Sequence, residues 1–118
     1  MGDNVANNIY LLARAFAIRI TKLNQYLKEE KKEYIISNQI FRSGTSIGAN
    51  AFEGKEAQSR ADFNSKMNIA LKETSETGFW LDLLHAANYL DDAMFVSIND
   101  DCEHLKAVLT KIVKSTKK

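Results

Sequence analysis

Two Asp-x-x-His pairs, Asp82 with His85 and Asp101 with His104, are the side chains of this 118-residue chain best spaced to hold a metal or shuttle a proton. A carboxylate and an imidazole three positions apart share one face of a helix, a spacing close to the one that builds di-iron sites in helical bundles. Such a site also needs inward acids from the remaining helices, and no acid lies between Asp3 and Glu29. Both pairs sit one step off the apolar positions beside them, Leu81/Leu84 and Cys102/Leu105. The histidines therefore read as surface hydrogen-bonding groups, and no metal is expected. Cys102 falls on an apolar stripe, where a buried, inert thiol is the natural reading. Glu73 and Glu76 are paired acids, but Lys72 stands four residues before Glu76 and can bridge to it. No nucleophile elbow supports a Ser-His-Asp arrangement. The expectation is a protein without catalysis and without a cofactor.

The segment Arg42-Ser43-Gly44-Thr45-Ser46-Ile47-Gly48-Ala49-Asn50 is the next candidate. As a phosphate loop it lacks the lysine that follows the cradling glycine, and no strand pattern precedes it. As a helix it places Gly44 and Gly48 on one face, stripped of side chains, which suits close approach of a neighbouring helix. Each glycine costs a helix interior about 1 kcal/mol relative to alanine, so packing must return something there.

Charge carries the remaining signal. Sixteen basic residues against fifteen acidic ones give +1 overall, which excludes attachment to nucleic acid by bulk charge. Residues 1–60 nevertheless hold nine basic and six acidic side chains, and residues 61–118 hold seven and nine. Arg14, Arg19 and Lys22 stand in the acid-free stretch, and Lys111, Lys114, Lys117 and Lys118 add a basic tail. An ordinary solvated helix face is the plain reading of that stretch. Its functional reading is a phosphate-binding stripe, multiplied if the chain self-associates.

The elements that must position these residues are helices. The chain has no proline, so nothing in it breaks a helix by the strongest route. Ile9, Leu12, Phe16, Ile20, Leu23 and Leu27 mark one helix over about 5–29, and the charged run 28–33 reads as the solvated turn after it. Ile36, Ile40, Ile47 and Ala51 mark a second over about 35–56. Phe63, Met67, Ala70, Thr74, Thr77, Leu81 and Leu84 mark a third over about 60–90, entered through Ser59 and Asp62 as a cap. A second stripe on that helix, Trp80, Leu83, Ala87 and Leu90, predicts a subunit interface. Ser97 is read as the cap of a fourth helix over about 98–114, with Ile98, Cys102, Leu105, Leu109 and Ile112 inward. The fold class expected is all-α, a single up-down-up-down four-helix bundle spanning 1–118. The start Met1-Gly2-Asp3-Asn4 lacks a secretory pattern, no run reaches membrane-span length, and the lone cysteine suits a reducing compartment. A cytoplasmic protein without membrane contact is expected.

The Arg42–Asn50 segment, with Asp62-Phe63, the run Lys66-Met67-Asn68-Ile69-Ala70-Leu71-Lys72-Glu73, Glu76-Thr77 and Phe79-Trp80-Leu81-x-Leu83-Leu84, resembles the bacterial four-helix bundle proteins related to the 23S rRNA intervening-sequence protein. The match runs in order and spacing through nearly the whole chain. It departs at Ala51-Phe52-Glu53-Gly54, where relatives often place a larger aliphatic residue first. The resemblance implies self-association into a ring-like homopentamer and a poorly defined role. It also implies a setting beside RNA or DNA and a nucleic-acid-processing protein, since a more distant relative works with a reverse transcriptase. It supplies no catalytic residues. Gly44, Gly48, Asn50, Glu73, Glu76 and Trp80 read as architecture, with Asn50 and Glu73 expected to meet in a buried polar contact. On these grounds the candidate nucleic-acid residues are Arg14, Arg19, Lys22 and Arg42, and the candidate oligomer interface is Trp80, Leu83 and Leu90.

Overall fold

Helical periodicity without proline yields four helices, α1 (Asp3–Glu30), α2 (Ile36–Gly54), α3 (Arg60–Ala86) and α4 (Asp92–Thr116). They come from a computed structural model that describes residues 3–117. Met1, Gly2 and the last residue of the basic tail, Lys118, lie outside it. At 1.5 Å per residue the 28 residues of α1 run about 42 Å, close to the 44 Å long axis of the molecule. Each helix packs on the next in the chain, and α4 closes the ring against α1 in the thinnest of the seams. The short connections make this an up-down-up-down bundle. Among the described residues no helix is long and apolar enough to cross a membrane.

The inward stripes are those the periodicity marks. Phe63, Met67, Ala70, Thr74, Thr77, Leu81 and Leu84 of α3 are all buried, as are Ile98, Cys102, Leu105, Leu109 and Ile112 of α4. Hydroxyls that enter this core are satisfied. Thr74 Oγ1 donates to Ala70 O at 2.8 Å, and Thr77 Oγ1 donates to Ser43 Oγ at 2.9 Å across the α2–α3 seam. No buried side-chain nitrogen or oxygen among the described residues lacks a partner. That matters because an unpaired buried polar group would cost about 1–3 kcal/mol.

Three local expectations change. The run 28–33 is not wholly solvated: Glu33 is buried, and its carboxylate accepts the backbone N–H groups of Ile35, Ile36 and Ser37 at 3.1, 2.9 and 2.7 Å. It thereby satisfies donors that the start of α2 leaves without intrahelical partners. Helix α3 stops at Ala86 rather than near residue 90. Asn88 adopts a left-handed φ of 69°, its N–H donates to His85 O at 3.1 Å, and Tyr89 N–H donates to Leu84 O at 2.9 Å. This is a Schellman stop with asparagine in the place usually taken by glycine. Helix α4 then begins at Asp92, not Ser97, because the Asp91 carboxylate accepts Met94 N–H at 2.8 Å and caps it five residues after the α3 end. Ser97 lies inside α4 on its exposed side. The Ser59 cap does form, accepting Asp62 N–H at 3.0 Å, while Asp62 accepts Gln58 N–H at 3.1 Å.

Candidate functional site

Gly44 and Gly48 of α2 differ in their surroundings. A Cβ added at Gly44 would lie 2.7 Å from Ile20 Cγ1 and 2.8 Å from its Cγ2, so α1 and α2 touch there only because Gly44 has no side chain. A Cβ at Gly48 would meet Ala13 O and Ala17 Cβ at 3.7 Å, which is ordinary contact. Both glycines therefore sit against α1 as expected, but only Gly44 lacks the room for a side chain. Asn50 bonds within its own helix, donating to Ser46 O at 2.9 Å, and does not join Glu73. Glu73 instead faces Arg42, whose Nη1 lies 3.3 Å from its Oε1.

Arg42 is the hub of a surface network over the α2–α3 seam. Its second guanidinium nitrogen pairs with Glu76, and the Trp80 indole N–H donates to the same Glu76 oxygen at 3.0 Å. The Trp80 bond and then Arg42 hold the Glu76 carboxyl below the usual carboxylate range. Arg42 is raised in turn, chiefly by its hydrogen bond to Glu76. Lys72, read from sequence as the partner of Glu76, makes no ion pair among the described residues. The acids that α3 offered for chemistry thus serve as anchors for an arginine.

The four basic residues named from sequence do not form one stripe. Arg19 is bound to α4: it donates to Ser97 O at 3.1 Å and to Ser97 Oγ at 3.0 Å, and it pairs with Asp101 at 2.7 Å. Lys22 stays exposed one turn along, on the rim of a groove of about 600 Å³ between α1 and α4 whose walls include Leu23, Tyr26 and Met94. Arg14 is exposed on the other flank of α1, beside a cleft of about 350 Å³ against α2. Arg42 is neutralised by its two acids. Arg14, Lys22 and Lys28 remain as the cations of α1 without an ion pair among the described residues, and of these Arg14 and Lys22 are the exposed ones.

Sequence reasoning missed three residues around Arg14. Phe52 is half-exposed, its ring meets Tyr10 edge to face at 5.4 Å, and Lys55 Nζ stands 4.6 Å from the Tyr10 ring. The signal was present, since Phe41, Thr45, Gly48 and Phe52 follow helical steps along one side of α2.

The metal candidates separate too. His85 bonds Asp92 at 2.7 Å across the α3–α4 turn and stacks on Phe95 at 4.1 Å, rather than joining Asp82. His104 is exposed, and among the described residues no group of three or more His, Cys, Asp and Glu side chains could hold a metal. Cys102 is buried with its Sγ 3.6 Å from Thr74 O, and burial pushes its pKa up to about 12. It is a protonated thiol at neutral pH, not a nucleophile. The interface stripe is altered at one position. Leu90 is only 2% exposed and packs in the core of its own chain, because the chain turns inward after Asn88. Trp80 and Leu83 are half-buried, while Phe79, packed on Trp80 at 4.9 Å, is 55% exposed.

Comparison with known proteins places this architecture. A solved structure from Bacteroides thetaiotaomicron VPI-5482, described as a protein with unknown function from the S23 ribosomal protein family, is 46% identical over 93% of this chain and 98% of that one, with a TM-score of 0.90. No curated protein matches. The sequence model for the 23S rRNA-intervening sequence protein matches residues 6–111, nearly all four helices. The chain is a member of the 23S rRNA-intervening sequence protein family.

Proposed function

We propose that this protein is a non-catalytic, self-associating cytoplasmic bundle that binds nucleic acid as an accessory to a nucleoprotein complex. The observation that carries the reading is the outward side of α1, where Arg14 and Lys22 stand exposed in a stretch without acids from Asn4 to Lys28. Two cations on a monomer are a weak footprint for phosphates. Repeated around a ring such as the homopentamer of the family resemblance, they become a belt of positive charge. The family name, which refers to 23S rRNA, points to the same class of partner.

Fluorescence anisotropy with structured RNA and with duplex DNA across a salt series tests this. Binding is expected at low salt, with log affinity falling linearly in log salt, and the Arg14→Ala/Lys22→Ala variant should lower that slope by about 0.9 per phosphate contact removed. Arg19 and Arg42 are poor choices for substitution because both hold helices together. Absence of binding at low salt to either polymer would end the nucleic-acid reading.

A second reading has its own support. Phe79 is exposed on α3, packed on half-buried Trp80 and one turn from half-buried Leu83, an apolar area outside the bundle core. Exposed apolar side chains gathered this way mark a protein–protein surface. On that reading the protein is an interaction scaffold, and light scattering should give a mass above the 13.3 kDa of one chain at micromolar concentration. A monomer would sink self-association through this face.

A further inference from the structure

Gly48 is a glycine that helix packing does not demand, since a Cβ there would make only 3.7 Å contacts. Glycine nonetheless weakens a helix interior relative to alanine. What its bare position leaves is the floor of the α1–α2 cleft, about 350 Å³, a size at the small end of ligand pockets. One wall is aromatic: Tyr10 and Phe52 meet at 5.4 Å with 61° between their planes, and Phe52 is half-exposed. Two cations attend this wall. Arg14 lines the cleft, and Lys55 Nζ lies 4.6 Å from the Tyr10 ring centre and 5.5 Å from that of Phe52. The one acid lining the cleft, Glu53, is held by Lys66 at 2.8 Å.

A half-exposed ring, a floor of small residues (Gly48 with Ala17 and Ala49) and cations at the mouth suit a flat, π-rich group attached to an anion. We propose that the α1–α2 cleft binds a nucleobase together with its neighbouring phosphate, the base against Phe52 over Gly48 and the phosphate met by Arg14 and Lys55. Stacking on an aromatic side chain tolerates any base, and it favours single strands, whose bases are free to leave their neighbours. This deepens the nucleic-acid reading and rests on it. It makes that partner single-stranded at this cleft and adds Phe52, Gly48 and Lys55 to the residues responsible. The same chemistry could come from a free nucleotide or from a strand.

The probes are fluorescein-labelled ten-nucleotide oligouridylate and oligoadenylate, a duplex RNA of equal length, and unlabelled UMP and AMP as competitors. Single strands should bind more tightly than the duplex, and Phe52→Ala should weaken them about tenfold. Lys55→Ala should flatten the salt dependence. Gly48→Ala should keep or raise the melting temperature while weakening binding several-fold, a combination that damage to the fold does not produce. Competition by the mononucleotides would assign the cleft to free nucleotides, and its absence would assign it to strands. Either outcome supports the base–phosphate site when binding depends on Phe52. Oligonucleotide binding unchanged in Phe52→Ala and Gly48→Ala but lost in Arg14→Ala/Lys22→Ala overturns the cleft and leaves the α1 reading intact. No binding of any probe at low salt overturns both. A fall in particle mass by light scattering in Phe52→Ala would make the cleft a contact between copies and likewise overturn the proposal.

Discussion

Cys102 shows what one buried side chain does to the energetics of the whole chain. Its thiol sits among α3 and α4 residues with Sγ 3.6 Å from Thr74 O, and burial raises its pKa from 9.0 to about 12. A folded-state pKa above the unfolded one means the native protein holds its proton more tightly. The resulting stability is fully present below about pH 9 and is lost as pH rises towards 12. Thermal melts of the wild type should therefore fall more steeply between those limits than melts of Cys102→Ala, after subtracting the constant loss that the alanine cavity brings. Parallel curves would show that the thiol does not titrate with folding. Gly44 makes the opposite kind of demand, on space. Alanine there would push on the branched carbons of Ile20, which cannot swing away as a flexible chain end could. Overpacking of this kind costs about 1–3 kcal/mol, and better helix propensity returns about 1 kcal/mol. Gly44→Ala should lower the melting temperature by several degrees, and a rise would mean that α1 can move aside.

At the scale of elements, the inward faces of all four helices were legible because apolar residues recur at steps of three and four. A buried helix face has no other solution in a bundle. The ends of the helices were less so, for reasons found in single residues. Asn88 stops α3 in a left-handed turn that glycine usually marks, so the stripe through Trp80 and Leu83 looked as though it continued to Leu90. Glu33 sits in a run of charges that reads as solvent-facing, yet three backbone N–H groups draw it inward. The candidate site was legible only as a list. Sequence shows that Arg14, Arg19, Lys22 and Arg42 are basic, but it does not show that Asp101 lies opposite Arg19 or that Glu73 and Glu76 lie opposite Arg42. Those pairings join residues 31 to 82 positions apart and depend on which helices are neighbours. The same holds for Tyr10 and Phe52, which became one aromatic wall only when α1 met α2.

For the whole molecule, the division of labour between tied and free charges matters more than the total of +1. Exposed ion pairs such as those of Arg19 and Arg42 each contribute about 0–1 kcal/mol. Their larger effect is to withdraw Arg19 and Arg42 from any partner, whereas Arg14, Lys22 and Lys55 are among the cations without an ion pair among the described residues. The thin α1–α4 seam adds a dimension of time. Every other seam joins helices adjacent in the chain, so it closes a short loop, whereas α4 must find α1 across the rest of the sequence. The α2–α3 hairpin is then expected to order early, with α1 and α4 zipping together last and fraying first. Native-state hydrogen exchange should show the slowest amides in α2 and α3, and Arg19→Ala should speed exchange in α1 and α4 selectively. Uniform protection across all four helices would contradict that order. Arg19, one of the two arginines that left the list of partner-binding residues, would on this view act as the clasp, setting how often the bundle breathes open.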